Sequence, residues 1–176
     1  MNKILLLIMF SLTIAELSAD MDIHRTLPLI TLSDDNGGHY NGETWDSSTL
    51  QGKTTMLMYV DPDEKNKGEI FKPTIEAFEK ELDFRKFQIL VIINLKATWK
   101  PTFMIKSLMK NKLTEYPKRI YILDNNSILI KKWRLTDNEY NTLVINRDSK
   151  VIYSHSGTWK EDEISQINTL IRSQVQ

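Results

Sequence analysis

An α/β fold, with a mixed central sheet and helices on both faces, is what this 176-residue sequence predicts, and three observations carry the prediction. Two continuous apolar runs of strand length, Thr54–Val60 and Gln88–Leu95, have the composition of strands covered on both faces. Between them Phe71, Ile75, Phe78 and Leu82 recur at i, i+4, i+7 and i+11, with Glu76, Glu79, Lys80 and Asp83 filling the other side of an amphipathic helix. Strand, helix, strand implies a right-handed parallel crossover. Near the C-terminus, Thr142–Asn146 and Val151–Ser154 flank Asn146-Arg147-Asp148-Ser149, a hairpin signal, so an antiparallel half joins the parallel one.

The first segment stands apart from that fold. Met1–Asp20 opens with Lys3, runs apolar from Ile4 to Phe10, continues through Leu12, Ile14 and Ala15, and ends on Leu17-Ser18-Ala19, the plan of a secretory signal peptide cleaved after Ala19. Its apolar stretch is short of the ~20 residues that span a bilayer. The expectation is therefore export, periplasmic in a double-membrane bacterium, and one domain over residues 20–176 with no transmembrane segment and a monomeric state.

The remaining elements follow in order. Asp34-Asp35-Asn36-Gly37-Gly38 is a turn between two short extended pieces. After the second central strand, Pro101 opens another helix whose apolar side chains are Met104, Ile105, Leu108 and Met109. Arg119–Asp124 and Ile128–Trp133 are short apolar pieces around the turn Asp124-Asn125-Asn126-Ser127, and an extra strand is expected there. A closing helix begins at Thr158-Trp159-Lys160-Glu161, which has capping-box spacing, and carries Ile164, Ile167, Leu170 and Ile171 on one stripe. The order is βαβα, extra strand, ββα.

Composition narrows the chemistry. Lys plus Arg and Asp plus Glu are 23 each, so the net charge is zero and the bulk basicity of nucleic-acid binders is missing. Cysteine is absent, which excludes disulfides, thiol nucleophiles and zinc-thiolate sites. Histidines 24, 39 and 155 are not in metal-ligand spacing, and Gly52-Lys53-Thr54 lacks the earlier glycine and following helix of a P-loop. No metal or cofactor is expected. Charge is unevenly placed: nine basic residues lie between Lys100 and Arg134 against Glu115 and Asp124, while Asp61–Asp83 is acidic. If Lys106, Lys110, Lys131 and Lys132 share a face, salt-sensitive binding of an anionic envelope component would follow.

The element order resembles the thioredoxin fold, its peroxiredoxin and TlpA branch above all. Leu50-Gln51-Gly52-Lys53 is similar to the L-x-G-K entry of those proteins, and Leu143–Ile152 to their hairpin, with Asn and Ser in place of Asp and Gly. Trp45–Lys53, Tyr116-Pro117 and Trp133-x-Leu135 resemble the YtfJ family of exported bacterial proteins over nearly the whole chain beyond the leader. The resemblance implies a three-layer thioredoxin-like domain and places the redox tetrad of that fold at Lys65-Asn66-Lys67-Gly68, since Pro73 lies five residues beyond Gly68. Both thiols are missing. The cis-proline position falls near Tyr140, with no proline from Asp137 to Thr142, and the buried carboxylate position near Tyr59. Thiol redox activity is excluded because it requires a sulfur.

The leading expectation is thus a non-catalytic, exported thioredoxin-fold protein that binds a protein or envelope component. Asp61, Asp63 and Glu64, beside the tetrad position, together with Trp45, Trp133 and Tyr140, are the candidate binding residues. The alternative is a cysteine-independent hydrolase or metal-dependent enzyme built on Asp61, Asp63 and Glu64, whose carboxylates would suit a hard cation or acid/base work. The four tryptophans each sit beside an element boundary, where core packing is the common outcome.

Overall fold

Residues 23–176 are described by the computed structural model, so the expected leader lies outside the described residues. Short N-terminal strands β1 (Thr31–Leu32), β2 (Gly37–His39) and β3 (Trp45–Asp46) precede the first central strand, β4 (Thr54–Val60). A 3₁₀ segment, Lys65–Phe71, leads into α1 (Lys72–Glu81), and β5 (Phe87–Asn94), α2 (Thr102–Glu115) and β6 (Arg119–Asp124) follow. The chain closes with α3 (Ile128–Trp133), β7 (Tyr140–Ile145), β8 (Val151–Ser156) and α4 (Glu161–Val175).

The six-stranded sheet has the order β2-β6-β5-β4-β7-β8. Its β4–β5 and β5–β6 pairs are parallel, while β4–β7, β7–β8 and β2–β6 are antiparallel. All seven residues of β4 are buried, as expected for a strand covered on both faces. Period-two alternation divides the strands between two cores. Met56, Met58 and Val60 of β4 and Ile89 and Val91 of β5 meet Phe71, Ile75, Phe78, Ile105, Met109, Ile167 and Ile171, which come from the 3₁₀ segment, α1, α2 and α4. On the other face Leu57, Tyr59, Leu90 and Ile92 meet Leu32, Trp45, Leu50, Leu129 and Trp133. Among the described residues, both cores are supplied from within Leu27–Val175.

The sequence pattern misses at four places. Ile128–Trp133, in sequence only a short apolar piece with no element assigned, is a helix: the Asp124 carboxylate accepts the Ile128 and Leu129 N–H groups at 2.9 Å each, ending β6 and starting a turn of helix that buries Leu129 and Trp133. In α2 only Ile105 and Met109 are buried, and Met104 and Leu108 stay exposed at 43% and 54%. The cap of α4 lies two residues beyond the expected Thr158, where the Lys160 N–H donates to Glu163 Oε2 at 2.8 Å. At the other end of the sheet Gly37 and Gly38 are part of β2 itself. A β-carbon on Gly37 (φ 118°) would lie 2.0 Å from the Leu123 carbonyl oxygen, so only glycine lets this edge strand seat against β6.

Candidate functional site

The chain leaves the C-terminal end of β4 at Val60 and turns through Asp61–Glu64 into the 3₁₀ segment, which carries the expected tetrad position at the mouth of a cleft. The cleft, about 310 Å³, lies between the 3₁₀ segment, α1, α2 and the sheet. Its apolar surface comes from Met58, Val60, Ile75, Val91, Ile93 and Met109, and three tyrosines, Tyr116, Tyr121 and Tyr140, join them. Lys65, Lys72, Lys112 and Arg119 bring positive charge to the same lining, against Glu69.

Strand register assembles it. β5 and β6 run in register with Val91 opposite Tyr121, and β4 and β7 with Val60 opposite Tyr140, so both tyrosines face the α1 and α2 side. Arg119 stands two residues before Tyr121 on that face. Its Nε and Nη2 donate to Glu79 Oε1 and Oε2 at 2.8 and 3.0 Å, and its guanidinium lies 3.6 Å from the Tyr116 ring centroid. Burial works against the Arg119 charge, and the Glu79 pair outweighs it, raising the guanidinium pKa. Burial pushes the Tyr121 phenol up to about 12 and raises those of Tyr116 and Tyr140. The phenols therefore remain protonated at neutral pH, and two already donate within the protein, Tyr116 to Glu76 Oε1 at 3.2 Å and Tyr140 to Met58 Sδ at 2.9 Å. The lining holds no thiol, since the chain has no cysteine.

The tetrad residues divide. Lys65 and Gly68 line the cleft, and Gly68 is buried against the Tyr140 ring. Asn66 is exposed. Lys67 turns away to Glu139 at 2.7 Å and Glu64 at 2.9 Å, and those hydrogen bonds raise its pKa, Glu139 contributing most.

The acidic loop is engaged with its own neighbours. Asp61 is almost fully buried, with Oδ1 accepting the Asp63 N–H at 2.8 Å, and burial raises its pKa. Asp63 pairs with Lys100, whose hydrogen bond lowers the Asp63 pKa, while Glu64 pairs with Lys67. These contacts spend two of the three carboxylates on lysines, none of the three lines the cleft, and no cluster of metal-binding side chains occurs among the described residues.

Trp45 and Trp133 do not join Tyr140. They are 2% and 0% exposed on the opposite face of the sheet, ring centroids 6.2 Å apart and nearly perpendicular, and Trp133 Nε1 donates to the Pro28 carbonyl at 2.9 Å. Sequence reasoning named Tyr140 but missed Lys72, Met109, Lys112, Arg119 and Tyr121. Two spacings held the signal: Lys112 and Tyr116 lie at i and i+4, and Arg119 and Tyr121 alternate on one strand face.

Comparison with known proteins agrees with this architecture. A family model, YtfJ_HI0045, described as a bacterial protein of unknown function, matches residues 27–174. The uncharacterized protein YtfJ of Escherichia coli strain K12 is 24% identical over 139 residues, covering 76% of this chain and 73% of that protein. Among solved structures, a Chlorobium tepidum protein described as a thiol:disulfide interchange protein, DsbE, superposes with a TM-score of 0.66 at 15% identity, covering 89% of this chain and 99% of that one. A Bacteroides thetaiotaomicron protein described as a protein disulfide isomerase gives 0.66 at 20% identity, covering 88% and 91%. The exposed lipoprotein thioredoxin Etrx1 of Streptococcus pneumoniae gives 0.60 at 16%, covering 81% and 99%. At these identities the likeness is one of fold: the chain has a thioredoxin-like fold and no cysteine.

Proposed function

The chain belongs to the YtfJ_HI0045 family of bacterial proteins of unknown function, and from that premise we propose that it is an exported, non-catalytic binding protein. Residues 1–19 serve as its export signal and residues 20–176 as the periplasmic domain. It recognises a protein or envelope component in the cleft beside Lys65–Gly68, the position at which thioredoxin-like enzymes carry their thiols. The observation that carries this reading is the cleft itself: about 310 Å³, with an apolar floor, protonated tyrosines and a rim of Lys65, Lys72 and Lys112. An apolar group with a hydrogen-bonding or anionic neighbour fits that lining. The acidic loop supports binding better than metal catalysis, because Asp63 and Glu64 are held by Lys100 and Lys67.

The test is photo-crosslinking in cells from a benzophenone amino acid at Lys65 or Lys112, with exposed Lys132 as the control position. Discrete adducts from the two cleft positions only, lost when Tyr121 is replaced by Ala, are expected. Equal adducts from all three positions would contradict the site. Turnover in an insulin-reduction or peroxide-consumption assay would contradict the non-catalytic reading.

A further inference from the structure

The outer side of α2 is apolar where a surface helix is ordinarily polar. Phe103 is 73% exposed, Leu108 54% and Met104 43%, and Trp99, in the loop just before the helix, is 83% exposed. Ile105 and Met109 face the core; at about 3.6 residues per turn Phe103 lies about 140° round the helix from the middle of that pair, and Met104 and Leu108 lie about 120° and 80° round the other way, with Ser107 and Asn111 between on the outer arc. Lys106 and Lys110 flank that arc on one side and Lys112 on the other. Residues 96–112 contain five lysines and no Asp or Glu, in a chain whose net charge is zero. Lys106 and Lys110 form no ion pair among the described residues. Lys100 pairs with Asp63 and stands 5.6 Å over the Trp99 ring, which fixes the loop with its indole outward.

We propose that this surface, Trp99 with the outer arc of α2, docks on an anionic lipid bilayer. Three features of this surface select lipid over protein. The surface is a convex helix ridge, the shape that lies in a bilayer interface with its apolar side chains about 5–10 Å into the headgroup boundary. Its charged flank is Lys106 and Lys110, while Lys112 on the other side is paired with Glu115 at 2.6 Å; lysine is depleted in protein–protein interfaces but suited to interfaces where long stems snorkel and ammonium groups meet phosphates. A second copy of the chain is disfavoured as occupant, because like faces would bring two lysine rows together. Trp and Phe at the edge of the ridge are the side chains that settle at headgroup depth. This docking shares Lys112 with the cleft rim and does not depend on what the cleft binds.

The test exploits the placement of the four tryptophans. Trp45, Trp133 and Trp159 are 2%, 0% and 3% exposed, so solvent-sensitive indole emission reports Trp99. Residues 20–176, which contain every described residue of both cores, are mixed with vesicles of phosphatidylcholine alone or with phosphatidylglycerol added. The anionic vesicles should shift the exposed emission to the blue, protect it from acrylamide and co-sediment with the protein, while neutral vesicles do so far less. The Lys106→Gln, Lys110→Gln pair should weaken co-sedimentation roughly 30-fold at low salt, at about one lysine-worth of surface attraction each. The Phe103→Ser, Leu108→Ser pair should abolish the shift with an unchanged melting temperature, since both side chains are exposed. Trp99→Phe should retain co-sedimentation and lose the optical signal. The proposal is overturned if neither vesicle protects Trp99. It is overturned equally if neither substitution pair changes binding, or if a purified periplasmic protein protects Trp99 while anionic vesicles do not.

Discussion

The ring of Tyr140 lies so close to Gly68 that a β-carbon at position 68 would stand 2.5 Å from Tyr140 Cε2 and Cζ. The contact ties the start of β7 to the 3₁₀ segment across the mouth of the cleft. Gly68 has no left-handed backbone, so its requirement is space alone, and two opposed effects can be weighed. Ala in a helical segment gains up to about 1 kcal/mol over Gly, whereas forcing extra atoms into a packed site costs about 1–3 kcal/mol. Gly68→Ala should therefore destabilise by about 1 kcal/mol in the presence of Tyr140. In a Tyr140→Ala background the same change should become neutral or stabilising. Urea midpoints for the four proteins give the coupling; simple additivity would mean that the Tyr140 ring yields freely.

Asp61 supplies a pH dependence. Burial, with the nearby charges of Asp63, Glu64 and Asp137, raises its pKa above the ordinary 3.8. Between 3.8 and the folded-state value the folded protein binds more protons than the unfolded chain, so this group's contribution falls as pH rises through that window and stays lost above it. Asp61→Asn keeps an oxygen for the Asp63 N–H and removes the buried charge. It should be more stable than the parent at neutral pH, with the gap closing as the pH is lowered below 4. Melting temperatures from pH 3.5 to 7.5 measure this, and a gap that widens toward acid would show the opposite shift.

On the other face, Tyr59 and Asp124 form a buried pair. The Tyr59 hydroxyl donates to Asp124 Oδ2 at 3.0 Å, and the same carboxylate accepts Asn126, Ile128 and Leu129 N–H groups. Burial first, then Asp124, raises the Tyr59 pKa. A hydrogen bond to a charged acceptor contributes about 1.5–3 kcal/mol, so Tyr59→Phe should cost that much. Asp124→Ala should cost more, because it leaves the hydroxyl and the N–H donors of α3 without their acceptor. Amide exchange at Ile128 and Leu129 should rise in Asp124→Ala and change little in Tyr59→Phe.

These contacts mark the reach of sequence reading. β4 and β5 were legible because burial on both faces leaves an uninterrupted apolar run, and α1 because one buried face leaves a 3.6-residue period. The face of α2 was not legible: Met104, Ile105, Leu108 and Met109 form one apolar set in sequence, and only the placement of the helix decides which pair meets the sheet. α3 was hidden because the β-branched Ile128 and Ile130 favour extended chain locally, while Asp124 four and five residues upstream captures the N–H groups that start the helix. The cleft was half visible. The segment around the tetrad position could be aligned through Pro73, but Tyr116, Tyr121 and Tyr140 come from three elements that only strand register brings together.

The assignment of Lys65–Gly68 as the counterpart of the redox tetrad can be tested by restoring its sulfurs. Residues three apart in a 3₁₀ helix eclipse one another with a rise of about 6 Å, inside the roughly 4.4–6.8 Å that a disulfide's Cα atoms require. Lys65 and Gly68 both lie in such a segment and both line the cleft. A cysteine at 68 meets the Tyr140 ring, so the double variant Lys65→Cys, Gly68→Cys alone must push that buried ring aside before it can close. With Tyr140→Ser added, the obstacle goes and the bridge should form in air while the protein stays folded. Lys67 gives the new thiols little electrostatic help, because Glu139 and Glu64 hold its ammonium. Free-thiol titration and intact mass compare the two backgrounds. The expected result is closure that is faster and more complete in the triple variant. If the triple variant folds but keeps both thiols free under oxidising conditions, Lys65–Gly68 does not occupy the tetrad's place.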